Sequence, residues 1–383
     1  MDPVREKPLP TLRPAPSAPS FLERAGLRSV TAGSASWPPP SDPIEVLTQQ
    51  EQRALALIEW AAVFLAAVAG AISAGVCAWV AAPLVGEMDQ HPLHYWTVVG
   101  ATLGGTTLVE LAFLYWLSLR AVREMAKAAG LRVNTKSELD LAVALALARA
   151  ALELPNPPHN LLDVDPHQEA SRIGLIAATL LYKAKIALTN FILKTLVRRA
   201  LGRAITRATL EWIALPVGAL WNAVVMYLVL REARLRVMGP SAAVLLADWI
   251  FDAWKDEAEG RQLVLRAVGT SIVANREAHP NVLALVRLLR GGYELPADVD
   301  WGARQTFLKH LEAANPKQQL SALRTLVSIA ILDGKVTKRE RQWLEETFTR
   351  VGKQHPADVT RELEQRFVHG KGLPLETLPR DFE

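Results

Sequence analysis

The chain has 383 residues, of which 50% are hydrophobic and 21% are charged. This balance excludes a disordered protein, which would have a lower hydrophobic content. A single cysteine, Cys77, excludes a disulfide framework, a cysteine-based zinc site and a CxxC redox centre, and a net charge of +4 is too small to indicate nucleic acid as a partner.

The amino-terminal segment is rich in proline. Residues 1–43 contain ten of the 24 prolines. Proline at this density blocks helices and sheets, so the segment is predicted to be a disordered or polyproline-like tail. It lacks the apolar stretch of a signal peptide and is expected to remain attached.

Two long apolar runs form the next predicted unit, 44–136. Residues 60–86 contain no Asp, Glu, Lys or Arg, and residues 95–119 contain one charged residue, Glu110. Since about 20 apolar residues cross a hydrocarbon core, the runs predict a transmembrane helical hairpin. A buried hairpin of a soluble protein is the alternative. Basic residues follow the second run and are missing from the link, which predicts that both termini are cytoplasmic.

Small residues and one carboxylate mark this hairpin. Gly70, Ala74, Gly100 and Gly104 offer faces on which helices approach closely, either within the hairpin or between protomers. Glu110 would lie about 13 Å deep at 1.5 Å per residue, where a carboxylate costs about 3 kcal/mol. It therefore indicates either an ion or proton path or a hydrogen bond between helices.

A basic, amphipathic region, 137–240, is expected to lie at the membrane surface. Within residues 171–240, eleven basic residues accompany only two acidic ones. We expect this surface to contact anionic inner-leaflet lipid, at about 1 kcal/mol per base, with an ordinary solvated face as the alternative. Nucleic acid is not an expected partner. The predicted lipid-binding residues are Arg172, Lys183, Lys194, Arg198, Arg199, Arg203, Arg207, Arg231, Arg234 and Arg236.

A third apolar stretch, 209–230, lies inside this basic region and is long enough to cross a membrane. Basic residues flank it on both sides, which argues against a crossing. The sequence therefore predicts a helix, kinked at Pro216, that is buried or that enters and leaves the same leaflet.

The carboxyl-terminal unit, 241–383, shows the pattern of amphipathic helices with short polar breaks. In residues 320–351 a first helix carries apolar residues at i, i+3, i+4 and i+7. Asp333 and Gly334 are expected to end it, and Thr337 with Glu340 to cap the next helix. The predicted fold class is therefore all-α, a transmembrane helical hairpin with cytoplasmic helical bundles.

These residues carry a resemblance to a known family. The pattern from Asp333 and Gly334 to Thr337 and Glu340, between apolar helices, resembles the tellurite-resistance TerB-like domain, a small all-helical module. Residues 266–290 align with this pattern at an offset of 58. The membrane-proximal part is faintly similar to the EcsC family of bacterial membrane-associated proteins.

The resemblance implies a location and a role. It implies a bacterial inner-membrane protein linked to stress response, with Asp333 and Glu340 as candidate metal ligands. Four basic residues surround that pair (Lys335, Lys338, Arg339 and Arg341), and they would repel a cation, so no metal is predicted.

The sequence contains no catalytic motif such as HExxH, GxSxG, a P-loop or GxGxxG, so neither an enzyme nor a cofactor is predicted. The leading hypothesis is a membrane scaffold or adaptor whose carboxyl-terminal helices bind an unidentified protein. The alternative is a homo-oligomeric channel or transporter component with Glu110 in its path.

Overall fold

A computed structural model describes residues 20–32, 46–84, 90–131, 138–154, 207–254, 257–275, 279–292 and 299–373. Within these ranges the protein is all-helical, and the only strand-like pairing is one isolated bridge between Val46 and Lys371. The helices are α1 (Phe21–Thr31), α2 (Gln49–Leu84), α3 (Pro92–Ala128), α4 (Glu138–Ala151), α5 (Arg207–Trp254), α6 (Ala258–Asn275), α7 (Pro280–Gly292), α8 (Arg304–Ala313), α9 (Pro316–Leu332), α10 (Lys338–Arg350) and α11 (Ala357–Val368).

The helix α1 corrects the prediction of a structureless tail for residues 20–32, while the rest of residues 1–43 lies outside the described residues. Ser20 and Glu23 form a capping box at its start, each side chain bonding to the other's backbone N–H. No proline interrupts residues 20–37, so a helix is sterically allowed there. Gly26 of α1 packs against α3 and α4, where an added Cβ would lie 3.0 Å from the Leu152 side chain.

In the described part of the chain, three helices are long and apolar enough to cross a membrane: α2, α3 and the part of α5 from Leu215 to Trp254. The helices α2 and α5 make the most extensive contact in the described part of the chain, and they run antiparallel. The contacts show this direction, because Gly75 faces Leu215 while Glu59 pairs with Arg234.

The helix α5 is continuous over 48 residues and includes Pro216 and Pro240. The predicted boundary between residues 240 and 241 therefore falls inside a helix. A single unbroken helix cannot enter and leave the same leaflet, so that alternative for residues 209–230 does not describe the observed chain.

The remaining helices gather around the carboxyl-terminal half of α5. The helix α4 packs between α1 and α5, and α6–α11 form a bundle against α5. The predicted apolar stripe of α9, from Leu323 to Ile331, is buried in that bundle together with Trp343 and Phe348 of α10. Leu47 N–H donates to Gly370 O at 2.8 Å, which ties the start of α2 to the end of α11.

Candidate functional site

Exposed tryptophans stand near both ends of the apolar parts of α2 and α3. Trp60 and Trp79 are separated by about 29 Å along α2, and Trp96 and Trp116 by about 30 Å along α3, at 1.5 Å per residue. The hydrocarbon core of a bilayer is about 30 Å thick. The ring of Trp60 lies 6.5 Å from that of Tyr227 on α5. We call Trp60, Trp116 and Tyr227 the inner belt, because the other helices lie at that end.

Glu110 has a partner on the third apolar helix. Asn222 Nδ2 of α5 donates to Glu110 Oε1 of α3 at 2.5 Å, and Asn222 is buried. The described residues therefore place a hydrogen bond between helices at this position. The Cys77 thiol contacts the Thr106 hydroxyl at 3.3 Å and makes a second polar link, between α2 and α3.

The predicted packing residues divide into two groups. A Cβ on Gly70 would lie 2.4 Å from Gly218 O and 2.7 Å from Asn222 Nδ2, so α2 and α5 touch through backbone at this point. Ala74 contacts the same glycine, at 3.5 Å from a Cβ built on Gly218. Gly100 and Gly104 are exposed, and a Cβ on either would meet nothing within 4 Å among the described residues.

Three of the predicted lipid-binding arginines bind protein groups instead. Arg234 forms a bidentate ion pair with Glu59 on α2, with Nε 2.8 Å from Oε1. Arg231 Nη2 donates to Gly334 O at 2.7 Å. Arg236 is 5% exposed; it donates to Ala146 O of α4 and pairs with Glu232 at 2.8 Å. Their guanidinium groups hold helices together, and lipid binding by these three stays a prediction.

Most of the other predicted lipid-binding residues lie outside the described residues. These are Arg172, Lys183, Lys194, Arg198, Arg199 and Arg203. Arg207 is the first residue of α5.

The turn between α9 and α10 has the predicted local structure. Gly334 has a φ of +71°, the left-handed conformation that favours glycine. The Thr337 hydroxyl and the Glu340 carboxylate form the predicted capping box. Asp333 accepts from Asn275 Nδ2 at 2.6 Å and from Lys335 N–H at 3.0 Å.

Burial changes the protonation of the two acids at this turn. Desolvation raises the pKa of Asp333 above its usual range. Desolvation, followed by the nearby Asp333 carboxylate, raises the pKa of Glu340 to about 8. With a pKa of about 8, the Glu340 carboxyl group is largely neutral at pH 7. Neither acid belongs to a group of three or more candidate metal ligands among the described residues.

A buried polar network joins this turn to α5. His279 Nε2 lies 3.0 Å from Glu232 Oε1, and the Asn281 amide donates to Leu235 O at 3.1 Å and to Leu332 O at 2.7 Å. We call this set, with Arg231 and Gly334, the junction. It connects the middle of α5, beside the inner belt, with the start of α7 and the α9–α10 turn.

Sequence reasoning missed the residues that complete these contacts: Glu59, Asn222, His279 and Asn281. Asn222 carried a signal, since a polar residue inside an apolar helix needs a partner. Glu59 carried another, because it directly precedes the first uncharged run. The aligned turns at offset 58 also meet, since Asn275 contacts Asp333.

Comparison of the chain with protein-family models, curated proteins and solved structures finds no match. The TerB-like and EcsC-like resemblances therefore remain predictions.

Proposed function

We propose that this protein is a membrane-anchored scaffold that holds a helical docking domain at a fixed position on the membrane surface. The distribution of exposed apolar side chains supports the anchor. Large exposed apolar residues crowd α2, α3 and α5, whereas the described residues from 257 onward contain none. The apolar window of α3 has no buried residue, as expected of a helix that faces lipid.

The single observation that carries the proposal is the continuity of α5. One helix passes from the apolar layer into the carboxyl-terminal bundle, with no linker between them. The junction then fixes the bundle against that helix through Arg231, His279 and Asn281. A domain held in this way cannot swing freely, so a partner bound to it is held at a defined distance from the bilayer.

The exposed faces of α10 and α11 are the expected docking surface. They carry charged and amide side chains, among them Glu346 and Gln365, and they face away from the core. Polar surfaces of this kind suit reversible association with a protein partner. No catalytic constellation among the described residues favours an enzyme instead.

Site-specific photo-crosslinking in the native membrane tests the scaffold. A photoreactive residue at Glu346 or Gln365 is expected to capture one discrete, unlike protein. The control position is Val109, 72% exposed on α3, which is expected to crosslink lipid. Capture of no unlike protein from either docking position, with membrane insertion intact, would refute the scaffold.

The open glycine face favours a second candidate, a homo-oligomeric channel or transporter component. Gly100 and Gly104 have no neighbour in the described part of the chain and would let a second copy approach closely. Crosslinking between copies from Val109, together with ion flux in reconstituted vesicles that changes with Glu110→Gln, would support this function. A silent wild-type protein in the flux assay excludes it.

A further inference from the structure

Because these arginines bind protein groups, we searched for other basic residues that contact the membrane. Arg231, Arg234 and Arg236 are all engaged inside the protein. Arg231 has a second structural role, because its hydrogen bond holds the α9–α10 turn next to the apolar layer.

The contacts of Arg231 place that turn at the height of the lipid headgroups. Arg231 follows Tyr227 of the inner belt by one helical turn, or about 6 Å along α5. Arg231 Nη2 then reaches Gly334 O at 2.7 Å, and the Leu235 side chain packs directly on Gly334. The polar headgroup layer extends over about 5–8 Å on each side of the hydrocarbon core. Leu235 follows Tyr227 by about 12 Å at 1.5 Å per residue, so the turn lies at the outer edge of that layer, within reach of long basic side chains.

The same turn carries basic side chains that no protein group neutralises. Lys335, Lys338 and Arg339 are exposed, and their side chains form no ion pair within the described residues. We call these three residues the turn cations. The nearest exposed acids on α10 are Glu345 and Glu346, about two helical turns further along.

The acids of the turn itself do not cancel this charge. Asp333 and Glu340 point into the protein and accept hydrogen bonds there. Burial also raises the pKa of both carboxyl groups, that of Glu340 to about 8, which lowers the negative charge of Glu340 near neutral pH. The turn therefore presents net positive charge to the surface beside it.

We propose that the turn cations bind the phosphate groups of anionic phospholipids and thereby seat the carboxyl-terminal bundle on the bilayer. This site rests on the membrane placement in the proposed function and deepens it. A basic residue near an anionic surface contributes about a fivefold preference for the anionic lipid. Three residues on one short turn act together, while Arg231 fixes the height of the turn.

Fluorescence quenching in nanodiscs tests the site in the full chain. A dye is attached to Gln342→Cys, an exposed position one turn after Lys338, in a Cys77→Ser background. Headgroup spin-labelled phosphatidylglycerol and phosphatidylcholine are compared at equal mole fraction. We expect stronger quenching by the anionic lipid, and we expect about 1 M salt to remove the difference.

Neutralising the turn cations together (Lys335→Gln, Lys338→Gln and Arg339→Gln) is expected to lower the enrichment of anionic lipid around the dye about fivefold or more. The matched control neutralises Arg361, Arg366 and Lys371, exposed on or beside α11. That helix ends beside Leu47, about 20 Å before Trp60 at 1.5 Å per residue, so the control is expected to keep the enrichment.

Each other outcome overturns the proposal in a different way. Equal quenching by both lipids, or enrichment that survives the triple substitution, means that the turn cations do not bind anionic lipid. Quenching by neither lipid means that the turn does not lie at the bilayer. If the triple substitution abolishes capture of the protein partner from Glu346, and quenching shows no preference for anionic lipid, the turn cations bind that partner instead. This result leaves the scaffold intact.

Discussion

The antiparallel packing of α2 and α5 predicts on which side of the membrane each end of α5 lies. Gly70 and Gly218 touch near the middle of the apolar layer. From Gly218, α5 runs toward the hairpin turn in one direction and toward Arg234 in the other. We therefore expect Arg207 to be accessible from the side opposite to the carboxyl-terminal bundle.

The helical rise gives the size of this separation. Arg207 and Arg234 are 27 residues apart, or about 40 Å, which exceeds a hydrocarbon core of about 30 Å. From the Gly70–Gly218 contact, Arg207 is about 16 Å away and Leu84 about 21 Å away in the same direction. Residue 207 therefore lies close to the height of the hairpin turn, across the layer from the Arg234–Glu59 pair.

Cysteine accessibility in sealed vesicles measures the prediction. In a Cys77→Ser background, Arg207→Cys is expected to react with an impermeant maleimide from the same side as Gln90→Cys, in the hairpin turn. Gln365→Cys, on α11, is expected to react only from the opposite side. Both reference positions are exposed.

One result would refute this topology: Arg207→Cys labelled from the side of Gln365→Cys. If the expected labelling is found, Leu154 and Arg207 lie on opposite sides of the layer. Leu154 follows the end of α4, and Ser118 Oγ of α3 donates to Ala151 O there at 2.6 Å, two residues after Trp116 of the inner belt.

Three further predictions concern packing and protonation. Gly70→Ala is expected to lower the free energy of unfolding in detergent by about 1–3 kcal/mol, because α2 and α5 must separate to admit the methyl group. Gly100→Ala is the control and is expected to have no effect. Equal melting temperatures for the two variants contradict the observed contact. Asn222→Leu is expected to lower the free energy of unfolding by about 1 kcal/mol, because it leaves Glu110 without its partner. Glu110→Gln keeps an acceptor and is expected to lower it by less. A larger loss for Glu110→Gln than for Asn222→Leu argues against a structural hydrogen bond. Folding raises the pKa of Glu340 from 4.5 to about 8, so between these pH values the folded protein binds a proton that the unfolded protein has lost. The free energy of unfolding therefore falls as the pH rises from 4.5 to about 8, by up to about 1.4 kcal/mol per pH unit. Glu340→Gln is expected to flatten this slope in melting curves from pH 5 to 9, and an unchanged slope rejects the assignment.

Local patterns in the sequence were enough to predict several helices. Residues 60–84 of the first apolar run lie in α2, and the second run, 95–119, lies in α3. The stripe and caps of residues 320–351 predict α9, the Gly334 turn and α10. These features depend on neighbours within a few residues, which is the range over which periodicity and capping carry information. The helix α1 was missed because the prolines around it dominated the composition of its segment.

The long-range pairs were not predictable in the same way. Glu110 meets Asn222 from 112 residues away, and Glu59 meets Arg234 from 175 residues away. No local pattern specifies such partners. The sequence therefore indicated that Arg234 is a surface residue, although its side chain is mostly buried. A helix through Pro216 was predicted, but its continuation past Pro240 was missed for a related reason, since packing against α7 stabilises a helix that proline alone would disfavour.

The polar contacts in the middle of α5, beside the inner belt, explain why the bundle is expected to keep its position. Glu59 and Arg234 are mostly buried, and separating α2 from α5 there would leave both charges without a partner. Moving the α9–α10 turn would in addition break the bond from Arg231 to Gly334 and the two donated by Asn281. Each lost bond leaves a desolvated polar group, at about 1–3 kcal/mol. Displacing the domain therefore costs more free energy than breaking a solvent-exposed contact. A partner that binds α10 and α11 meets a surface whose orientation to the membrane is already fixed.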